Sequence, residues 1–188
     1  SVLGSDEAGV AHLTDAACRT FAQEIANYCE AYDLDGVFFD DEYTYSWNHP
    51  GLTSPSTDRA ARLCFETKMA MPDKMVTCYI YSRTYGFYKK IEGMEPGDFV
   101  DYAISDYGSW DYEDCYLGME RNQVAPCSAN FASSYARWTA TQNNLQRVRN
   151  EGFGGFMVYC LTFHVADVWN REMESLTNIA KYLYDDNL

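Results

Sequence analysis

The chain is short of the residues that several chemistries require. Only three histidines, His12, His49 and His164, are scattered along 188 residues, and none forms a His-Glu-x-x-His zinc site. There is no Gly-x-Ser-x-Gly nucleophile elbow and no glycine-rich phosphate loop. Positive charge is scarce: 14 Lys and Arg stand against 28 Asp and Glu, a net charge of −14. Nucleic acids and anionic membranes are gripped by basic patches, so neither suits this composition as a partner. No apolar run is long enough to span a bilayer, and no signal peptide is visible. The seven cysteines, Cys18, Cys29, Cys64, Cys78, Cys115, Cys127 and Cys160, are odd in number and form no Cys-x-x-Cys. That speaks against zinc ribbons and thioredoxin-like chemistry. Most lie in apolar surroundings and read as buried thiols, ahead of a disulfide framework. Alone, they favour a reducing compartment.

What is present supports a single globular domain with a sizeable core: 47% of residues are hydrophobic and 16% aromatic. Ser1–Gly4 reads as the end of a strand. Thr14 caps a helix whose stripe carries Cys18, Phe21, Ile25, Tyr28 and Tyr32. A buried strand follows at Val37. Thr57 and Asp58 open a second helix with Ala61, Cys64, Phe65 and Met69 facing inward, and Pro72 ends it. Strands are expected at Met75–Tyr81, Phe99–Ser105, Gln123–Cys127 and Gly155–Leu161. A short helix is expected between Tyr85 and Gly97. Longer helices are expected at about Ser134–Glu151, stopped by Gly152, and about Asn170–Tyr184. Alternating strands and helices give an α/β class with a parallel sheet. The pattern alone does not separate a closed barrel from an open doubly wound sheet.

The most informative stretch is Asp35-Gly36-Val37-Phe38-Phe39-Asp40-Asp41-Glu42-Tyr43, an apolar strand ending in three acids. Strand side chains alternate, so Phe38, Asp40 and Glu42 share one face while Asp35 and Asp41 point the other way. Asp40 and Glu42 are then roughly 6.6 Å apart along the strand. Burial and a neighbouring anion both raise a carboxyl pKa, which suits one of the pair to act as a general acid. The plainer reading is a solvated acidic loop after a core strand, and the residues alone weigh the two evenly. The same alternation splits the three acids across two faces, so a shared metal ion is not expected. No cofactor is expected either.

Asp35 to Glu42 resembles the catalytic strand motif of glycoside hydrolase family 18, Asp-x-x-Asp-x-Asp-x-Glu. With Glu42-Tyr43 it is similar to the bacterial endo-β-N-acetylglucosaminidases that cut the core of N-linked glycans. Ser1-Val2-Leu3-Gly4, Met71-Pro72-Asp73-Lys74, Val100-Asp101-Tyr102-Ala103, Asp106-Tyr107-Gly108 and Gly154-Gly155-Phe156-Met157 agree in order. The departure is Phe38, which stands where the motif has its second Asp, so a proton relay between two aspartates lacks one member.

The resemblance implies a (β/α)8 barrel of the TIM type and retaining, substrate-assisted hydrolysis. Asp40, Glu42 and Tyr107 would be catalytic. Asp106, Tyr159, Trp47, Tyr45 and Trp110 would contact the glycan, with Asp35 and Asp41 behind them. It also implies a secreted, periplasmic or cell-surface protein whose partner is an N-linked glycan or glycoprotein. A non-catalytic glycan-binding protein on the same fold and a chitinase remain as alternatives. A full barrel of this type takes about 250 residues, and the resemblance makes the acidic strand the fourth of eight. Residues 1–188 are therefore expected to hold the end of the third strand through the eighth, with an N-terminal fragment completing the barrel.

Overall fold

The computed structural model describes residues 1–3, 8–42, 44, 51–105, 110, 114–126, 128–131, 140–160 and 173–186. The chain divides into two compact units, Ser1–Ala103 with Asp114–Glu120, and Ile104–Glu113 with Arg121–Leu188.

In the first unit, strands β1 (Val2–Leu3), β2 (Gly36–Asp40) and β3 (Met75–Ile80) lie side by side, with β4 (Tyr102–Ser105) next in order. Helices α1 (Asp15–Ala31) and α2 (Thr57–Ala70) make the crossovers and pack on each other. Both pairings of β2 are parallel, with Val2 opposite Phe39 and Phe38 opposite Thr77. Such a sheet buries both faces, which is why β2 and β3 are apolar almost throughout. The helix-facing side is marked by Cys78, whose sulfur lies 3.5 Å from that of Cys64 on α2. Val37, Phe39, Val76 and Ile80 are buried with it. Fully burying a side chain like that of Phe39 contributes roughly 2–3 kcal/mol.

Capping follows the sequence. Thr14 Oγ1 accepts from Ala17 N at 3.2 Å at the start of α1, and Ser56 Oγ accepts from Arg59 N at 3.3 Å at the start of α2. The buried stripe of α1 is Cys18, Ala22, Ile25, Ala26 and Cys29. Tyr28 and Tyr32, expected on that stripe, instead stand in solvent and stack on each other at 5.6 Å. The small alanines let α1 approach the sheet and α2 closely, and the tyrosines are too large for that seam. Met69 on α2 is likewise exposed, while Ala61, Cys64 and Phe65 are buried. The strand expected from Phe99 begins only at Tyr102, because Pro96 opens one helical turn, α3 (Pro96–Phe99). Asp101 sets where β4 starts: its carboxylate accepts from Val76 N at 2.7 Å and from Lys68 Nζ at 3.0 Å. Five cysteines are buried free thiols and Cys160 is half-buried; Cys127 lies outside the described residues.

In the second unit the strand expected at Gln123–Cys127 resolves into β5 (Val124–Ala125) and β6 (Ser128–Asn130). Within this unit Ser105 Oγ donates to the Ala125 carbonyl at 3.3 Å. Strand β6 pairs in parallel with β7 (Met157–Tyr159). Helix α4 (Gln142–Asn150) is capped by Thr141 and ends at Gly152, whose φ of 75° suits glycine. Of the longer helix expected from about Ser134, residues 134–139 lie outside the described residues. A helix at 173–178 widens into a π-helical turn at Ile179–Leu183. Ala129, Phe131 and Ala140 form this unit's core, packed by Phe156, Val158, Leu176 and Ile179. No helix among the described residues is long and apolar enough to cross a membrane.

One close backbone approach in the first unit is at Gly36. A Cβ there would overlap the Met75 carbonyl oxygen and lie 2.8 Å from Met75 N. Gly36→Ala should therefore force β2 and β3 apart and cost about 2 kcal/mol. The expected reading is a fall of roughly 4–8 °C in Tm by calorimetry; an unchanged Tm would contradict the close approach.

Candidate active site

Strand β2 carries its acids at the carboxyl end, where parallel α/β sheets place ligand sites. Alternation holds through the turn that follows. Phe39 and Asp41 are buried on the helix side, and Phe38, Asp40 and Glu42 are half-buried on the other. Asp40 and Glu42 are hydrogen-bonded to each other. Burial, above all, then the charge and hydrogen bond of Glu42, then the charge of Asp41, push the Asp40 carboxyl up to about 7. Asp40 Oδ1 has no hydrogen-bond partner among the described residues. Asp40 therefore holds a proton close to neutral pH, next to the Glu42 carboxyl.

Asp41 has a different environment. It is fully buried, its Oδ2 accepts from Ala11 N at 3.2 Å, and its Oδ1 accepts from the Thr44 hydroxyl. Its carbonyl accepts from Arg83 N at 3.2 Å, and the Thr44 carbonyl accepts from Arg83 Nε at 3.1 Å. The end of β2 is thereby tied both to the turn before α1 (Val10–His12) and to the turn after β3 (Ser82–Thr84). Ser82, which starts the latter turn, has a φ of 45°, a left-handed conformation uncommon outside glycine.

Sequence reasoning missed two residues beside the acids. One step on from the Phe39–Cys78 pairing, Tyr79 falls alongside Asp40, and Tyr81 lies two further on the same face. Tyr79 sits 6.5 Å from the Phe38 ring and 6.2 Å from the Tyr81 ring, and Tyr81 is 40% exposed. The signal was the period-two run Thr77-x-Tyr79-x-Tyr81, which reads as ordinary core until the register with β2 is known.

The other sequence candidates are distributed unevenly. Asp35 is exposed at the amino end of β2, five residues and about 16 Å from Asp40, so it does not stand behind the pair. Trp110, in the second unit, has the Arg147 guanidinium 4.1 Å over its ring and the Phe153 ring edge-on at 5.8 Å. One face of its ring is thus covered within that unit. Tyr159, also in the second unit, ends β7 half-exposed. Tyr107, Asp106, Trp47 and Tyr45 lie outside the described residues.

The proton on Asp40 has a consequence for stability. The folded chain keeps it up to about pH 7, whereas an unperturbed carboxyl releases it near 3.8. Its contribution is therefore present in full below the unperturbed value and is lost as pH rises through about 7. Asp40→Asn, which cannot ionise, should match the parent near pH 4 and exceed it at pH 8. Solvent reaches this half-buried pair, so the gain is discounted to roughly 1 kcal/mol, about 2–4 °C in Tm. Melting curves at both pH values test this, and a gap of equal size at pH 4 and pH 8 would refute it.

Comparison with known proteins gives a consistent picture, although no family model matches the chain. Endo-beta-N-acetylglucosaminidase F1 of Elizabethkingia meningoseptica is 42% identical over 192 residues, covering 100% of this chain and 56% of that protein. An endo-beta-N-acetylglucosaminidase of Flavobacterium sp. (strain SK1022) is 27% identical over 86% of this chain and 51% of its own length. The chain thus spans about half the length of the curated relatives it matches. Among solved structures, EndoBT-3987 of Bacteroides thetaiotamicron, determined with a Man5GlcNAc product, superposes with a TM-score of 0.81 at 34% identity. It covers 98% of this chain and 42% of that one. A chitinase of Rhizomucor miehei, at 12% identity, 88% and 76% coverage and a TM-score of 0.54, shares the fold alone. With 42% identity along its whole length and the same α/β fold beneath it, the chain is similar throughout to bacterial endo-β-N-acetylglucosaminidases of the family 18 glycoside hydrolase type.

Proposed function

We propose that the protein hydrolyses the β1,4 bond between the two N-acetylglucosamines at the core of N-linked glycans. The observation that carries this reading is the hydrogen-bonded Asp40–Glu42 pair, holding a proton near neutral pH at the end of a buried parallel strand. The related EndoBT-3987 was solved with a Man9GlcNAc2Asn substrate and with a Man5GlcNAc product. The substrate carries two N-acetylglucosamines and the product one, which supports cleavage between them. An acidic, aromatic-rich chain suits a neutral glycan.

The chemistry follows from the pair. Passing the proton across the Asp40–Glu42 hydrogen bond puts it on Glu42, which donates it to the glycosidic oxygen. The 2-acetamido carbonyl of the substrate attacks the anomeric carbon, displaces the leaving sugar and forms an oxazolinium ion. No carboxylate of the protein has to act as nucleophile, because the substrate supplies its own. Asp40, then ionised, accepts the acetamido N–H and stabilises the positive charge. Glu42 takes a proton from the incoming water, and the anomeric configuration is retained. Tyr107 would help hold the acetamido oxygen, and Asp106, Trp47, Tyr45, Trp110 and Tyr159 remain the proposed glycan contacts. We take the protein to be secreted, periplasmic or cell-surface, and residues 1–188 to correspond to the third strand's end through the eighth of the barrel. The half-length match to the relatives supports that reading.

Incubation with a high-mannose glycoprotein tests the activity: a gel shift and mass loss leaving one N-acetylglucosamine on Asn are expected. Glu42→Gln should lower turnover about 10³-fold while glycan binding survives. Asp40→Asn should lose less and still use a ready-made oxazoline donor. Turnover of the parent should fall as pH rises through about 7, where Asp40 loses its proton. Binding without cleavage by the parent would instead indicate a glycan-binding protein, and near-normal turnover by Glu42→Gln would remove Glu42 from the mechanism.

A further inference from the structure

Three acids are consecutive at the end of β2, but the proposed reaction uses only two. The third, Asp41, is the most thoroughly enclosed acid among the described residues at this end of the sheet. It is fully buried, and both its oxygens are engaged, by Ala11 N and by the Thr44 hydroxyl. Gly9 closes the enclosure from the other side. A Cβ at Gly9 would overlap both Thr44 Oγ1 and the Asp41 carboxylate, so this backbone runs directly against the acid. The main chain of Asp41 is tied as well, through its carbonyl to Arg83 N, and Arg83 Nε holds the carbonyl of Thr44.

These ties act on Asp40 and Glu42 because Asp41 is the residue between them. With its side chain pinned on the helix side and its carbonyl pinned to Arg83, the backbone between the two acids is held at both ends. A carboxylate is costly to bury, and the same two acceptor positions would be served in part by a neutral asparagine oxygen. The charge itself therefore calls for a use beyond filling the cavity. One is at hand, since the charge of Asp41 is among the causes that keep the proton on Asp40. Among the described residues, the other titratable groups beside Asp40 are Glu42 on its own segment and, by register, Tyr79 of β3 with Tyr81 beyond it, while Arg83 and His12 lie in the two turns tied to Asp41. Strand β1 brings none.

We infer that Asp41, enclosed by Gly9, Ala11 and Thr44, is a positioning residue that holds Asp40 and Glu42 on one face at hydrogen-bonding separation. Asp41 touches no substrate in this role; it acts through its two neighbours. The inference rests on the proposed hydrolysis for its kinetic readout only, and a carboxyl titration reads it without substrate.

The test uses the intact protein and two variants. Asp41→Asn keeps the shape and removes the charge; Thr44→Val keeps the shape and removes one hydrogen bond to Asp41. Carbon-13 carboxyl NMR of aspartate-labelled protein follows the Asp40 titration, and steady-state kinetics on a high-mannose glycopeptide give kcat and KM. In Asp41→Asn the Asp40 midpoint should move down, the alkaline limb of kcat should move down with it, and kcat should fall at least tenfold with KM within threefold. Thr44→Val should lower kcat severalfold at unchanged KM, and it decides the matter if Asp41→Asn does not fold. Wild-type kcat in the folded variants overturns the inference. So does a loss of kcat with an unmoved Asp40 midpoint in Asp41→Asn, which is what a merely structural carboxylate would give. If the parent protein cleaves no glycan, the proposed function fails, and the Asp40 midpoint in Asp41→Asn still decides for or against Asp41.

Discussion

Side-chain alternation at the end of one parallel strand is the constraint on which the first unit depends. Because successive residues of β2 face opposite sides, the same strand serves the helix packing and the chemistry without mixing them. Val37, Phe39 and Asp41 go to the helix side; Phe38, Asp40 and Glu42 go to the other. A slip of one residue in register would bury the acidic pair under α1 and α2 and turn Phe39 outward. The close backbone contact at Gly36 and the ladder from Gly36–Met75 to Phe39–Cys78 set against such a slip.

The electrostatics follow from that geometry. Three carboxyls in three residues repel, and the fold separates their environments. Asp41 receives hydrogen-bond donors; Asp40 has one oxygen with no donor among the described residues and sits against Glu42. A buried carboxyl with few donors and anionic neighbours binds its proton tightly. The site therefore holds a proton near neutrality by withholding hydrogen bonds from one acid and supplying them to another. The aromatic run Phe38, Tyr79 and Tyr81 covers the same face and extends from the pair toward solvent.

Much of the framework was readable from residues. Thr14 as a cap, the second helix over Ala61, Cys64 and Phe65, and Gly152 as a stop all rest on local rules that tertiary contacts did not override. The failures have a shared cause. Tyr28 and Tyr32 fit a helical stripe by period, but the face of α1 that is buried runs through Cys18, Ala22, Ile25, Ala26 and Cys29 and leaves both tyrosines in solvent. The strand expected at Phe99 starts at Tyr102 because Asp101 is drawn to Val76 and Lys68, a contact between residues 25 and 33 positions apart. Asp35 belongs to the motif by spacing yet lies at the far end of the strand from the pair.

The sequence by itself determined the α/β class, the acidic strand and the pairing of Asp40 with Glu42 on one face, because strand parity is a local property of consecutive residues. Only the tertiary structure decided which acid keeps the proton and which acid is enclosed. Those outcomes depend on Gly9, Ala11, Thr44, Tyr79 and Arg83, whose approach to β2 is set by packing across the sheet and has no counterpart in the spacing of residues along the chain.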